Sequence, residues 1–301
     1  MSRRRELERH RHTLDETREI MNSMKTLAYM ETRKLARFLD AQRSVVAHIE
    51  TVAGDFLGFY PKTLPQSDKS MQVYLLLGSE RGFCGEFNET LLAEAESHMQ
   101  DSGINTPRLI ATGRKLCDRL AKDPRVIAFI DGANVAEEVE KTLIQIINNL
   151  TGLQTQDEAM TLCVFYHELE GEGVAMTQIL PPFEHSGKRV PIFSHPPLLN
   201  LQPKAFLAEL IDHYLFAALH QILYVSLMAE NQHRVQHLEG AVRHLEDKSA
   251  ELLHRCNLLR QEEITEEIEV ILLSTDSLDK PLHKRKSLTT SDSPKEKNID
   301  N

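Results

Sequence analysis

The sequence predicts an α/β protein: a long antiparallel coiled coil made by the first and last helices, and between them an α/β sandwich domain with a largely parallel five-stranded sheet. Three observations carry this: where proline and glycine are missing, a repeat of threes and fours at both ends, and short aliphatic runs alternating with helical patterns between them. Proline costs about 3 kcal/mol and glycine about 1 kcal/mol inside a helix relative to alanine, so their absence marks helix. Residues 1–53 hold neither, residues 204–280 hold only Gly240, and ten of the twelve prolines fall from Pro61 to Pro203.

In the first region Leu7, Leu14, Met21, Met24, Ala28, Leu35, Phe38, Val45, Ile49, Val52 and Phe56 fall on positions spaced alternately by three and four, the seam of a coiled coil. His10, Thr17, Glu31 and Gln42 interrupt it. Such an arm, 1–59, reaches about 80 Å at 1.5 Å per residue. The last region, 204–276, repeats the pattern through Leu238, Val242, Leu245, Ser249, Leu252, Cys256 and Leu259. Neither rod buries a stripe against itself, so each is the cheapest partner of the other, antiparallel because a folded domain separates them. Charge agrees. Residues 1–53 carry eleven basic and eight acidic side chains, whereas 204–276 carry six and thirteen.

The middle region, 70–182, offers strands at Val73–Leu77, Arg108–Ala111, Val126–Ile130, Thr161–Tyr166 and Met176–Leu180, with helices at Phe87–Met99, Arg114–Leu120 and Ala133–Leu150. That alternation implies a parallel sheet covered on both faces, a Rossmann-like domain. A proline-rich linker, 183–203, leads out of it, and a polar tail, 277–301, is expected to be disordered.

Composition narrows the function. A net charge of −10 over 301 residues argues against a protein that coats nucleic acid. Cys84, Cys117, Cys163 and Cys256 show no paired spacing, which disfavours zinc ribbons and a disulfide framework and fits a reducing compartment. No apolar run follows the N-terminal arginines, so no signal peptide is expected, and the short basic tip is no membrane anchor. Leu210–Ala229 is the best membrane-span candidate, but Asp212, His213, His220 and Gln221 break it, and it reads as a buried helix.

Candidate chemistry is sparse. After the first strand comes Gly78-Ser79-Glu80-Arg81-Gly82-Phe83-Cys84-Gly85-Glu86-Phe87-Asn88, the place where a doubly wound sheet would hold a phosphate or dinucleotide. Its spacing matches neither GxGxxG nor the P-loop, so its glycines read as packing residues. Cys84 would need a base such as His167 or His185 to act as a nucleophile, and it reads better as a small buried hydrophobe. His10, His12, His233, His237 and His244 lack a zinc signature and read as solvated helix faces, as does the acidic run Glu262, Glu263, Glu266, Glu267 and Glu269.

Two long arms and a Gly-Phe-Cys-Gly turn together resemble the gamma subunit of F-type ATP synthases, over nearly the whole chain to about residue 273. Leu14, Thr17, Ile20, Ser23, Met24, Leu27 and Ala28 stand at the places of that family's N-terminal signature. Glu80, Arg81, Gly82, Phe83, Cys84, Gly85 and Asn88 match its D-R-G-L-C-G-x-x-N turn. Glu230 with Arg234, then Asn257, Arg260, Gln261, Ile264, Thr265 and Glu267, match its C-terminal elements. Glu31 in place of lysine, Glu86 in place of glycine, Gln236-His237-Leu238 and the tail suggest, by the same resemblance, a divergent member from an alternative or sodium-linked enzyme.

The resemblance implies a rotor: a central stalk inside a hexamer of alpha and beta subunits, its α/β domain beside the epsilon subunit and on the c-subunit ring, coupling ion flow to ATP synthesis or hydrolysis. It implies no catalytic residue, cofactor or metal in this chain, no nucleic acid partner and no direct membrane insertion. The place implied is peripheral, on the cytoplasmic face of the cell membrane. Subunit contacts fall, by the same resemblance, to Met24, Lys25, Arg234, Arg260, Gln261, Thr265 and Glu267, and a structural turn to Gly82, Cys84, Gly85 and Asn88. The alternative is a gamma-like coiled-coil adaptor that has left the synthase.

Overall fold

A computed structural model describes residues 3–63, 70–102, 107–153, 159–169, 173–183 and 195–278. The chain runs α1 (Arg3–Phe59), β1 (Ser70–Leu77), α2 (Phe87–Asp101), β2 (Arg108–Thr112), α3 (Arg114–Leu120), β3 (Val126–Ile130), α4 (Val139–Leu153), β4 (Ala159–His167), β5 (Val174–Leu180) and α5 (Pro203–Leu278). Residues 184–194 of the expected linker and 279–301 of the expected tail lie outside the described residues. Two compact units divide the chain: Asp15–Glu246, and Met1–Leu14 with Asp247–Asn301.

In the larger unit the sheet order is β3-β2-β1-β4-β5. β1 pairs in parallel with β2 and β4, β2 with β3, and only β5 runs antiparallel, against β4. β1 leads one way to β2 and β3, then the chain crosses back to β4, and right-handed crossovers put the helices of the two halves on opposite faces. Alternate residues follow suit. Tyr74, Leu76, Leu109, Ala111, Cys163 and Phe165 pack with α2 and α3, while Val73, Leu75, Leu77, Ile110, Leu162 and Val164 pack with α4, α1 and α5.

α1 and α5 run antiparallel here. Phe56 packs on Phe206 with ring centroids 4.9 Å apart, and eighteen residues back along α1 and eighteen forward along α5, Phe38 stacks on Tyr224 at 6.1 Å. The stretch weighed as a membrane span supplies Ala218, Leu219, Ile222, Leu223 and Val225 to the same core.

The α1 seam and the start of α4 differ from the sequence reading. The α1 seam does not pass through Phe38, Val45 and Val52, each 46% exposed; it runs Leu35, Leu39, Val46, Ile49, Ala53 and Phe56. A straight helix drifts off a strict heptad, and this stretch of α1 faces a core shared by α4, α5 and the sheet rather than a single partner helix. The helix expected from Ala133 begins instead with a 3-10 turn, Ala136–Glu138. There Glu31, the substitution for lysine, accepts the Ala136 amide at 2.7 Å, and Lys34 pairs with Glu137, so α1 holds the start of α4.

In the smaller unit, Arg4 Nε donates to Glu263 at 2.9 Å, joining the start of α1 to the far part of α5. Glu263, expected on an exposed face, is thus half-buried and continues the α5 seam of Leu252, Cys256 and Leu259. α5 is helical through Leu278, two residues into the expected tail.

Candidate functional site

The turn after β1 sits at the carboxyl edge of the sheet, beside the point between β1 and β4 where strand order reverses, the usual ligand crevice of such sheets. It is pinned from within. Asn88 Oδ1 accepts the Ser79 amide at 2.9 Å while Asn88 Nδ2 donates to Ser79 Oγ at 2.8 Å. The Gly78 amide donates to the Thr112 carbonyl at 2.9 Å, and Gly85 takes a left-handed φ of 62°. The Glu80 carboxylate accepts amides of Arg114 at 2.9 Å and Gly132 at 2.7 Å, the residues that follow β2 and β3.

α5 closes over this turn with one helical step. Arg234 Nε donates to the Gly82 carbonyl at 3.2 Å, and its Nη2 to the Arg81 carbonyl at 3.4 Å and Cys84 Sγ at 3.2 Å. Nη1 donates to Asn231 Oδ1 at 2.8 Å. Glu230 pairs with Arg234 and accepts the Glu80 and Arg81 amides at 3.4 and 3.3 Å. Glu230 is 4% exposed and Arg234 6%. Burial pushes the Glu230 carboxyl above its ordinary range, against the pull of Arg234 and the two amides.

The expected turn residues Gly82, Cys84, Gly85 and Asn88 therefore come together, but Arg234 joins them. The guanidinium of Arg234, assigned by the resemblance to a subunit contact, is turned inward and meets this chain's own Gly82 and Arg81 carbonyls. Met24 and Lys25 lie half-buried on α1, and Arg260, Gln261, Thr265 and Glu267 are exposed on α5. Cys84 is buried, and burial, aided by Glu230, pushes its thiol up to about 12, so at neutral pH it carries no thiolate for nucleophilic attack.

Sequence reasoning missed the imidazoles. His167 at the end of β4 is buried, stacks on Phe87 at 3.9 Å and donates through Nε2 to the Phe87 carbonyl at 2.8 Å. His233, read as solvated, lies against both, 5.4 Å from Phe87 and 5.2 Å from His167 by ring centroids. No sequence signal marked the pairing, since the two imidazoles stand on different elements 66 residues apart. Burial holds both imidazoles below their ordinary range. The unfolded chain then binds protons first, so their contribution is full above about pH 6.5 and is lost as pH falls from there through the lowered folded values. Glu230, raised instead, contributes in the opposite sense. We expect His167→Gln, which keeps a donor for the Phe87 carbonyl, to make the fall in urea midpoint between about pH 7.5 and 5.5 shallower. An equally steep fall in the variant would contradict this.

These contacts define a helix-clamped α/β protein, in which side chains of a long helix hold the turn at the edge where doubly wound sheets usually take a ligand. A family model described as ATP synthase matches residues 3–278. An ATP synthase gamma chain of Moorella thermoacetica is 24% identical over 298 residues, covering 92% of this chain and 100% of the relative. One of Clostridium beijerinckii is 24% identical over 281 residues, covering 86% and 93%. Among solved structures, a chain of the Euglena gracilis mitochondrial ATP synthase, OSCP/F1/c-ring, superposes with a TM-score of 0.61 at 15% identity, covering 95% of this chain and 99% of that one. A chain of the Tetrahymena thermophila mitochondrial ATP synthase central stalk and c-ring gives 0.53 at 16% identity, covering 74% and 99%. The chain belongs to the ATP synthase family.

Proposed function

We propose that this protein is the central-stalk rotor, the gamma-type subunit, of an F-type ATP synthase. The observation that carries the reading is the family match along 3–278, which takes in both long helices and the sheet between them. In this role residues 1–59 and 204–276 supply the shaft, 70–182 the α/β domain, 183–203 its linker and 277–301 a tail. The chain does no bond chemistry. Its asymmetric surface, turning inside a hexamer of alpha and beta subunits, presents a different face to each catalytic site, so that sites change affinity in sequence. Met24, Lys25, Arg260, Gln261, Thr265 and Glu267 are the contacts we assign to that hexamer; the four on α5 are exposed and free to meet it. The epsilon subunit and the c-subunit ring are the partners of the α/β domain, on the cytoplasmic side of the membrane, without insertion of this chain.

Co-expression with the alpha and beta subunits of the same organism tests this. The expected result is a complex that co-purifies with this chain and loses ATP hydrolysis when the chain is omitted. Alpha and beta subunits that assemble and turn over normally without it, leaving it unbound, would remove the rotor reading.

A further inference from the structure

We propose that Glu230 and Arg234 are the mechanical joint between α5 and the sheet domain, positioning residues through which torque passes from one to the other. The inference rests on the rotor reading and names the residues that make it work. Torque crossing from a folded domain to a helix needs contacts that resist sliding, and apolar packing is non-directional. Hydrogen bonds are directional, and among the described residues those between α5 and the β1–α2 turn are all made by these two side chains.

The joint is closed on both sides. Glu230 takes two successive amides of the turn, and Arg234 takes two successive carbonyls and the Cys84 sulfur, so the turn is held through donors and acceptors together. The turn in turn grips the sheet at three strands: β1 by continuity and the Asn88–Ser79 pair, and the ends of β2 and β3 through the Glu80 carboxylate. A push on any of these strands therefore reaches α5 through a short run of bonds. Burial keeps the charged pair out of salt's reach, which a load-carrying contact requires. Arginine suits the position because its planar fork meets a carboxylate and two carbonyls at once, which an ammonium cannot do.

The test compares Arg234→Gln, Arg234→Lys and Glu230→Gln in the whole synthase reconstituted in vesicles, reading ions moved per ATP hydrolysed and hydrogen exchange at the Glu80 and Arg81 amides. In Arg234→Gln we expect exchange at those amides to speed up by about 100-fold, as expected when a buried charge loses its partner. The ion-to-ATP ratio should fall with it, and Arg234→Lys, which keeps the charge but not the fork, should recover part of both. An unchanged ratio in an assembled Arg234→Gln complex would overturn the joint and leave the rotor standing. Failure of the unaltered chain to enter the complex would instead strike the rotor reading. Should Arg234→Gln not assemble, the near-isosteric Glu230→Gln decides by the same ratio: a fall supports the joint and no change overturns it.

Discussion

Glu230→Ala should lower folding stability by about 3–5 kcal/mol, read as a shift in urea midpoint, because it strands the Arg234 charge in a buried site. The loss has a second part. The Glu80 and Arg81 amides lose their acceptor as well. Replacing both members of the pair by leucine and methionine should therefore recover only part of the stability, since the turn's backbone groups remain without partners at about 1–3 kcal/mol each. The control is Glu239→Ala, which removes an i,i+4 partner of Arg243 on the solvent side, with side chains 47% and 74% exposed, and should change stability by about 0.5 kcal/mol or less. A Glu230→Ala protein as stable as the Glu239→Ala protein would contradict the burial of the node.

The glycines of the crevice should be nearly as sensitive. A Cβ at Gly78 would lie 2.3 Å from Leu116 Cβ and 2.8 Å from Asn88 Oδ1, and one at Gly113 would lie 2.5 Å from the Gly78 carbonyl oxygen, with φ at 96°. Loop and helix cannot both give way, because Asn88 and Leu116 are themselves core residues. Gly78→Ala and Gly113→Ala should each cost about 2–4 kcal/mol from overpacking and backbone strain. Gly240 in α5 meets nothing within 4 Å, so Gly240→Ala should stabilise by about 0.5–1 kcal/mol through helix propensity. Thermal melts of the three variants check the order; a neutral Gly113→Ala would refute it.

Much of the architecture was legible because it rests on local rules. The proline and glycine gaps marked α1 and α5, and the α5 seam from Leu238 through Leu259 is buried or half-buried at every expected position. In α1 the expected Leu35, Ile49 and Phe56 do face the core, whereas Phe38, Val45 and Val52 each give way to the next residue, because only the partner surface decides between neighbours such as Phe38 and Leu39. The site was legible at the turn and opaque at the helix. Glu230-x-x-x-Arg234, Glu239-x-x-x-Arg243 and Glu251-x-x-x-Arg255 are the same pattern on one helix, and only the first is buried. What separates them is a turn some 150 residues earlier in the chain, a contact no local window contains.

The carboxylate of Glu80 has a wider consequence. It occupies the pair of backbone amides that a phosphate would seek at this edge, while Glu230 of α5 takes up the Glu80 and Arg81 amides beside them. In doubly wound sheets this is the edge where a bound anion usually sits, so an incoming anion would have to displace the chain's own carboxylate to reach those donors.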